Sequence, residues 1–117
     1  MANEIRISGT LRYAKDQATA SLSTSYAVDQ TGSKYEGGVQ TVGLTEEALV
    51  KNDIGTIGYL GVRNNDPDNF VEFGSTTAEY SFKLYPGEGA VMPWKHTNCY
   101  AKADTGACAV EYLLIES

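Results

Sequence analysis

The cysteines and the histidine have the widest chemical repertoire in this sequence, and they lie close together towards its end. His96 precedes Cys99, and Cys108 follows, without the C-x-x-C spacing of a zinc or redox site. A structural zinc site needs four ligands, and one imidazole with two thiols supplies only three. A Cys–His nucleophile also needs a third group to orient the base, and no recognisable motif supplies one. Of a disulfide, a metal site and free thiols, we expect free, buried thiols.

Oxygen-rich and glycine-rich segments offer two other kinds of site. Residues 64–69, Asn-Asn-Asp-Pro-Asp-Asn, could hold calcium but lack the glycine and bidentate glutamate of an EF-hand. The glycines at 55, 58 and 61 lack the helix and the Lys-Ser/Thr of a phosphate-binding loop. Paired carboxylates at glycosidase spacing cannot be recognised from sequence spacing. We therefore predict a plain turn at 64–69, no catalytic residue, no metal and no cofactor, and an enzyme is the class that the sequence supports least.

Strands must position whatever this chain binds, because apolar residues recur with a period of two along most of it. The 117 residues include 12 Gly and 8 Tyr, and turn residues separate short apolar runs. This pattern predicts an all-β protein of eight or nine short strands, a sandwich or a barrel. The length fits a single domain over residues 1–117, with residues 1–4 as a possible N-terminal arm.

Three local patterns give more specific predictions. Residues 45–50 could form a helical turn or a strand, and we favour a strand. Pro86 and Gly87 suit the central positions of a type II turn, because proline sets φ and glycine accepts a positive φ. Asp104-Thr105-Gly106 predicts a closing hairpin between residues 100–103 and 107–115.

Two predicted strands are apolar on both faces. Ile57 and Tyr59 lie opposite the apolar face of one strand, and Leu113 and Ile115 lie opposite that of the last strand. A sandwich strand normally keeps one face in solvent. The second apolar face therefore needs cover from a loop, from another copy or from a partner protein, and these four side chains are candidate interface residues.

The charge balance argues against two kinds of partner. Nine basic and fifteen acidic residues give a net charge of −6, and the bases stand singly. Nucleic-acid binding needs clustered bases, and anionic membranes attract them too, so we expect neither partner. No apolar run approaches a membrane span, and the first residues lack the pattern of a secretory signal. We expect synthesis in a cytoplasm.

Residues 56–116 contain segments that resemble small virion accessory proteins of tailed bacteriophages. The likeness rests on GYLGVRNNDPDNFVEFG at 58–74, on LYPGEGAV at 84–91, and on residues 100–105 with 110–116. The resemblance implies a jelly-roll-like antiparallel β-sandwich of about eight short strands. It also implies a structural, non-enzymatic protein that decorates or cements the outer capsid surface and stabilises neighbouring subunits of the major capsid protein.

A decoration protein made in the host cytoplasm would act on the capsid exterior in many copies. We therefore expect a homo-oligomer, a dimer or a trimer, because symmetric association multiplies weak contacts. Besides the two-faced strands, the candidate contact residues are Ala2, Asn3 and Glu4 of the N-terminal arm, together with Trp94.

The alternative function is a receptor- or carbohydrate-binding sandwich module of a tail or head fibre. An exposed Trp94 flanked by tyrosines would form a stacking platform for a sugar and would favour this alternative. A buried Trp94 would count against it.

Overall fold

Antiparallel strands build the part of the chain that the computed structural model describes, residues 3–117. Strand accounts for 61% of the structure, and none of the described residues is helical, so the predicted all-β class is confirmed. Ten strands are present in that part, eight of them in two four-stranded sheets. In chain order they are β1 (Ile5–Lys15), β2 (Ala18–Val28), β3 (Tyr35–Val42), β4 (Glu47–Ala48), β5 (Ile57–Asn64), β6 (Val71–Gly74), β7 (Phe82–Leu84), β8 (Gly89–His96), β9 (Tyr100–Ala103) and β10 (Cys108–Glu116).

The first compact unit ends at Thr31 and consists mainly of the β1–β2 hairpin. Its register runs unbroken from Ile5 opposite Val28 to Lys15 opposite Ala18. The two residues between the strands form the turn, in which Asp16 has φ +55°. Aspartate adopts this left-handed region more readily than most residues, which suits a two-residue hairpin turn.

The two faces of the hairpin differ in polarity, because side chains alternate along each strand. On one face serine, threonine and arginine predominate, and the hydroxyls of Thr10 and Ser23 lie 3.1 Å apart. The other, here named the hairpin's apolar face, carries Ile5, Ile7, Leu11, Tyr13, Ala20, Leu22, Tyr26 and Val28.

The second compact unit, Gly32–Ser117, contains the two four-stranded sheets. Their strand orders are β3-β10-β5-β8 and β4-β9-β6-β7, and every pair is antiparallel. The sequence analysis placed residues 1–117 in one sandwich domain, whereas β1 and β2 form a two-stranded sheet of their own. That the whole chain folds as one cooperative domain stays a prediction.

One hydrophobic core lies between the two sheets and draws side chains from both. Phe73 of β6 is fully buried and stacks on Phe82 of β7, with ring centroids 5.1 Å apart. Phe82 in turn meets the edge of Trp94, which belongs to β8 of the other sheet, at 6.2 Å. Aromatic side chains therefore join the two sheets at this end of the core.

The predicted closing hairpin is wrong, because β9 and β10 lie in different sheets. β9 pairs with β4 and β6, and β10 pairs with β3 and β5. The Asp104-Thr105-Gly106 segment crosses from one sheet to the other, with Thr105 at φ +64°. The amide of Asp104 donates to the carbonyl of Phe70 at 3.0 Å, which fixes the corner. The sequence Asp-Thr-Gly predicts a turn, but it does not show whether the strands on either side pair with each other or belong to different sheets.

The other two local predictions agree with the structure. Gly87 has φ +82°, and the amide of Glu88 donates to the carbonyl of Tyr85 at 3.0 Å, as a type II turn over Pro86-Gly87 requires. Within residues 45–50, the strand β4 covers Glu47–Ala48.

The side chain of Asn64 organises the oxygen-rich loop at residues 64–69. It is fully buried, and its Nδ2 donates to the carbonyls of Asn69 and Leu84, both at 2.9 Å. Its Oδ1 accepts from the amide of Asp66 at 2.9 Å. The Asp66 carboxylate in turn accepts from the amides of Asp68 and Asn69, at 2.9 and 2.6 Å. These oxygens therefore satisfy backbone amides, as in a turn built on Asx side chains.

Glu46 anchors the segment that follows β6. Its carboxylate accepts hydrogen bonds from the Tyr80 hydroxyl at 2.6 Å and from the Ala78 amide at 2.7 Å. These two bonds, the hydroxyl first, lower the pKa of Glu46 below its ordinary value of 4.5. The same contact raises the pKa of Tyr80 to about 12. A carboxylate bound in this way stabilises the folded chain only while it is ionised.

We therefore expect acid to destabilise the protein partly through Glu46. A lowered pKa in the folded state adds stability above pH 4.5, and that stability is lost as the pH falls through the folded-state pKa. The melting temperature should thus drop as the pH falls from above 4.5 to below it, and Glu46→Gln should make this drop shallower. Tyr80→Phe, which removes the main donor, should act in the same direction. Thermal melts across this pH range would contradict the assignment if both variants kept the wild-type slope.

A candidate protein-binding surface

Two strands place the predicted interface residues on the side of their sheet that faces away from the core. Along β10, Val110, Tyr112 and Leu114 point into the core, so the alternate side chains point outwards. The neighbouring strand β5 pairs with β10 so that Ile115 lies opposite Tyr59 and Leu113 opposite Gly61. Tyr59, Leu113 and Ile115 therefore lie together on one surface.

The flanking strands β3 and β8 extend this surface. In the ladder, Tyr35 lies opposite Ile115, and Val91 lies opposite Gly61. The fraction of the residue surface left exposed is 72% for Tyr35, 64% for Val39, 56% for Val91 and 44% for Leu113. We name this surface the outer face. Its apolar members are Tyr35, Val39, Tyr59, Val91, Leu113 and Ile115.

A groove crosses part of the outer face where Gly61 and Gly89 lack side chains. Leu113 lies between Gly37 of β3 and Gly61 of β5, and its side chain lies over Gly37, where an added Cβ atom would be 3.3 Å from Leu113 Cδ1. The groove measures about 410 Å³ and runs between Leu113 and Val91.

The charged side chains on the outer face are engaged with neighbours in the same sheet. Arg63 forms an ion pair with Glu111, and Asn65 donates to the same carboxylate at 3.3 Å. These bonds, that of Arg63 first, hold the pKa of Glu111 below its ordinary value. The Lys95 ammonium lies 4.1 Å above the ring of Tyr59. This lysine covers the ring, so Tyr59 is buried although it points outwards.

Two of the candidate interface residues are in the core instead. Ile57 is fully buried, because the register of β5 shifts between Ile57 and Tyr59 and the alternation breaks there. Trp94 is only 7% exposed, and its indole N–H donates to the carbonyl of Asn98 at 2.9 Å. A sugar-stacking platform needs an exposed ring face. The exposed Trp94 that would have favoured the carbohydrate-binding alternative is therefore not found.

The N-terminal candidates lie in the first compact unit. The amide of Asn3 donates to the side chain of Asp29, and Glu4 accepts from the amide of Gln30 at 2.9 Å. Both residues are exposed, and their bonds continue the pairing of the hairpin beyond Ile5. Ala2 lies outside the described residues.

Sequence reasoning missed Tyr35, Val39 and Val91, the three most exposed apolar side chains of the outer face. The glycines at 37 and 38 made β3 look like a weak strand, and Pro93 made β8 look short. A usable signal was present, because a strand that pairs with the two-faced β10 must also contribute side chains to its outer face.

The potential nucleophiles lie away from this surface or inside the core. Cys99 and Cys108 are both free and buried. Burial raises the pKa of Cys99 to about 12 and also raises that of Cys108. Both therefore remain protonated thiols at neutral pH. His96 is exposed and meets Trp94 edge-on at 5.5 Å.

Residues 3–117 contain no group of three or more His, Cys, Asp or Glu side chains placed to hold a metal ion. They also contain no helix that could cross a membrane.

No protein-family model, curated protein or solved structure matches this chain. The strand order, the outer face and the sequence patterns therefore carry the functional argument.

Proposed function

We propose that this chain is a structural protein of a bacteriophage virion, a decoration protein without enzymatic activity. It binds the outer capsid surface as a homo-oligomer and stabilises neighbouring subunits of the major capsid protein. Its place is the capsid exterior, after synthesis in the host cytoplasm. The resemblance of residues 56–116 to phage virion accessory proteins points to this class.

We propose further that the second compact unit is a jelly roll. Its strands pair in a nested order, β6 with β7, β5 with β8, β4 with β9 and β3 with β10. This nesting arises when a long hairpin with four strands in each arm is rolled up into two sheets. A jelly roll is built in that way. Viral capsid domains are among the proteins that use it.

The exposed outer face is the observation that carries the proposal. The second unit already has a buried core, so it does not need Tyr35, Val39, Val91 and Leu113 in contact with water in order to fold. A contiguous apolar patch on a small protein marks an interaction site. A protein that works in many copies on a repeating shell uses such a patch for subunit or capsid contacts.

The charge distribution supports the same function. The second unit holds six bases and twelve acids, a net charge of −6. Mutual repulsion keeps free copies soluble before assembly. The same charge keeps them away from the packaged genome, which a protein on the capsid exterior has no need to contact.

Co-sedimentation with capsids tests the proposal. Shells are purified from the parent phage with the gene for this chain deleted, and increasing amounts of purified protein are added. We expect binding that saturates at a fixed number of copies per shell. Shells from the undeleted phage are the matched control and should take up little added protein, because their sites are filled. Absence of binding, or uptake that rises linearly without saturation, would rule out the decoration function.

A further inference from the structure

We draw no further inference here: the strongest candidate, the hairpin's apolar face around the exposed cross-strand pair of Leu11 and Leu22, is an apolar surface patch, and nothing in the structure shows what covers it.

Discussion

Asn64→Ala is expected to lower the free energy of unfolding by about 3–4 kcal/mol. The Asn64 side chain is fully buried and makes three hydrogen bonds to the backbone, to Asn69, Leu84 and Asp66. Alanine would leave two carbonyls and one amide without these partners and would open a small cavity. Each buried polar group that loses its partner costs about 1–3 kcal/mol, and the effects overlap because they share one loop.

Denaturant unfolding of paired variants measures this effect. Asn65→Ala is the matched control, because Asn65 is the adjacent residue and its side chain is hydrogen-bonded at the surface. It accepts from Arg63 Nε at 3.1 Å and donates to the Glu111 carboxylate at 3.3 Å. Asn65→Ala should lower the free energy of unfolding by less than about 1 kcal/mol. Asn64→Asp keeps the size of the side chain but replaces the two donors with an acceptor, so it should be as destabilising as alanine. Equal losses for Asn64→Ala and Asn65→Ala would contradict the role assigned to Asn64.

Gly74→Ala is the second substitution with a large expected effect, a loss of at least about 3 kcal/mol. A Cβ atom at Gly74 would overlap the backbone oxygen of Glu79 and lie 3.0 Å from its carbonyl carbon. The obstacle is backbone rather than the end of a flexible side chain. The segment around it is held by the Ser81 amide, which donates to the carbonyl of Phe73 at 2.7 Å. The chain therefore cannot move aside without breaking this contact.

Gly43→Ala is the matched control for Gly74→Ala. A Cβ atom at Gly43 would meet nothing within 4 Å. Alanine there should change the free energy of unfolding by less than about 1 kcal/mol, because it adds no clash and restricts the unfolded chain. The same denaturant titrations serve for both variants. A Gly74→Ala protein as stable as the Gly43→Ala protein would mean that the segment after β6 is freer than the structure indicates.

Periodicity was sufficient to predict the outward position of three candidate interface residues. Tyr59, Leu113 and Ile115 alternate with core residues along unbroken stretches of strand, so a period of two places them correctly. The same rule failed at Ile57, because a register shift within β5 changes the direction of the side chain. Such a shift depends on hydrogen bonds to a neighbouring strand, and the residues of one strand do not determine it.

Three features could not be predicted from the sequence because they depend on tertiary contacts. The turn signals at 64–69 were clear, but the burial of Asn64 depends on Leu84, twenty positions further along the chain. The order of the sheets separates β9 from β10, although only a short turn lies between them. Trp94 is buried because Phe82 packs against it from the other sheet.

The acidic residues contribute to the fold as well as to solubility. Several carboxylates in the second unit accept hydrogen bonds from backbone amides in loops. They are Glu46, Glu47, Asp66, Glu88 and Glu116. Such bonds replace water at amides that no strand partner satisfies. A large share of the negative charge therefore stabilises the connections between strands, which lysine or arginine could not do in the same way.

Electron cryomicroscopy of capsids tests the central claim, decoration of a virion shell, most directly. Shells from phage lacking the gene are imaged before and after addition of the purified protein. We expect new density of this protein's size at the same position on every equivalent capsomer of the outer surface, absent from the untreated shells. Identical maps, or new density confined to the tail, would contradict it.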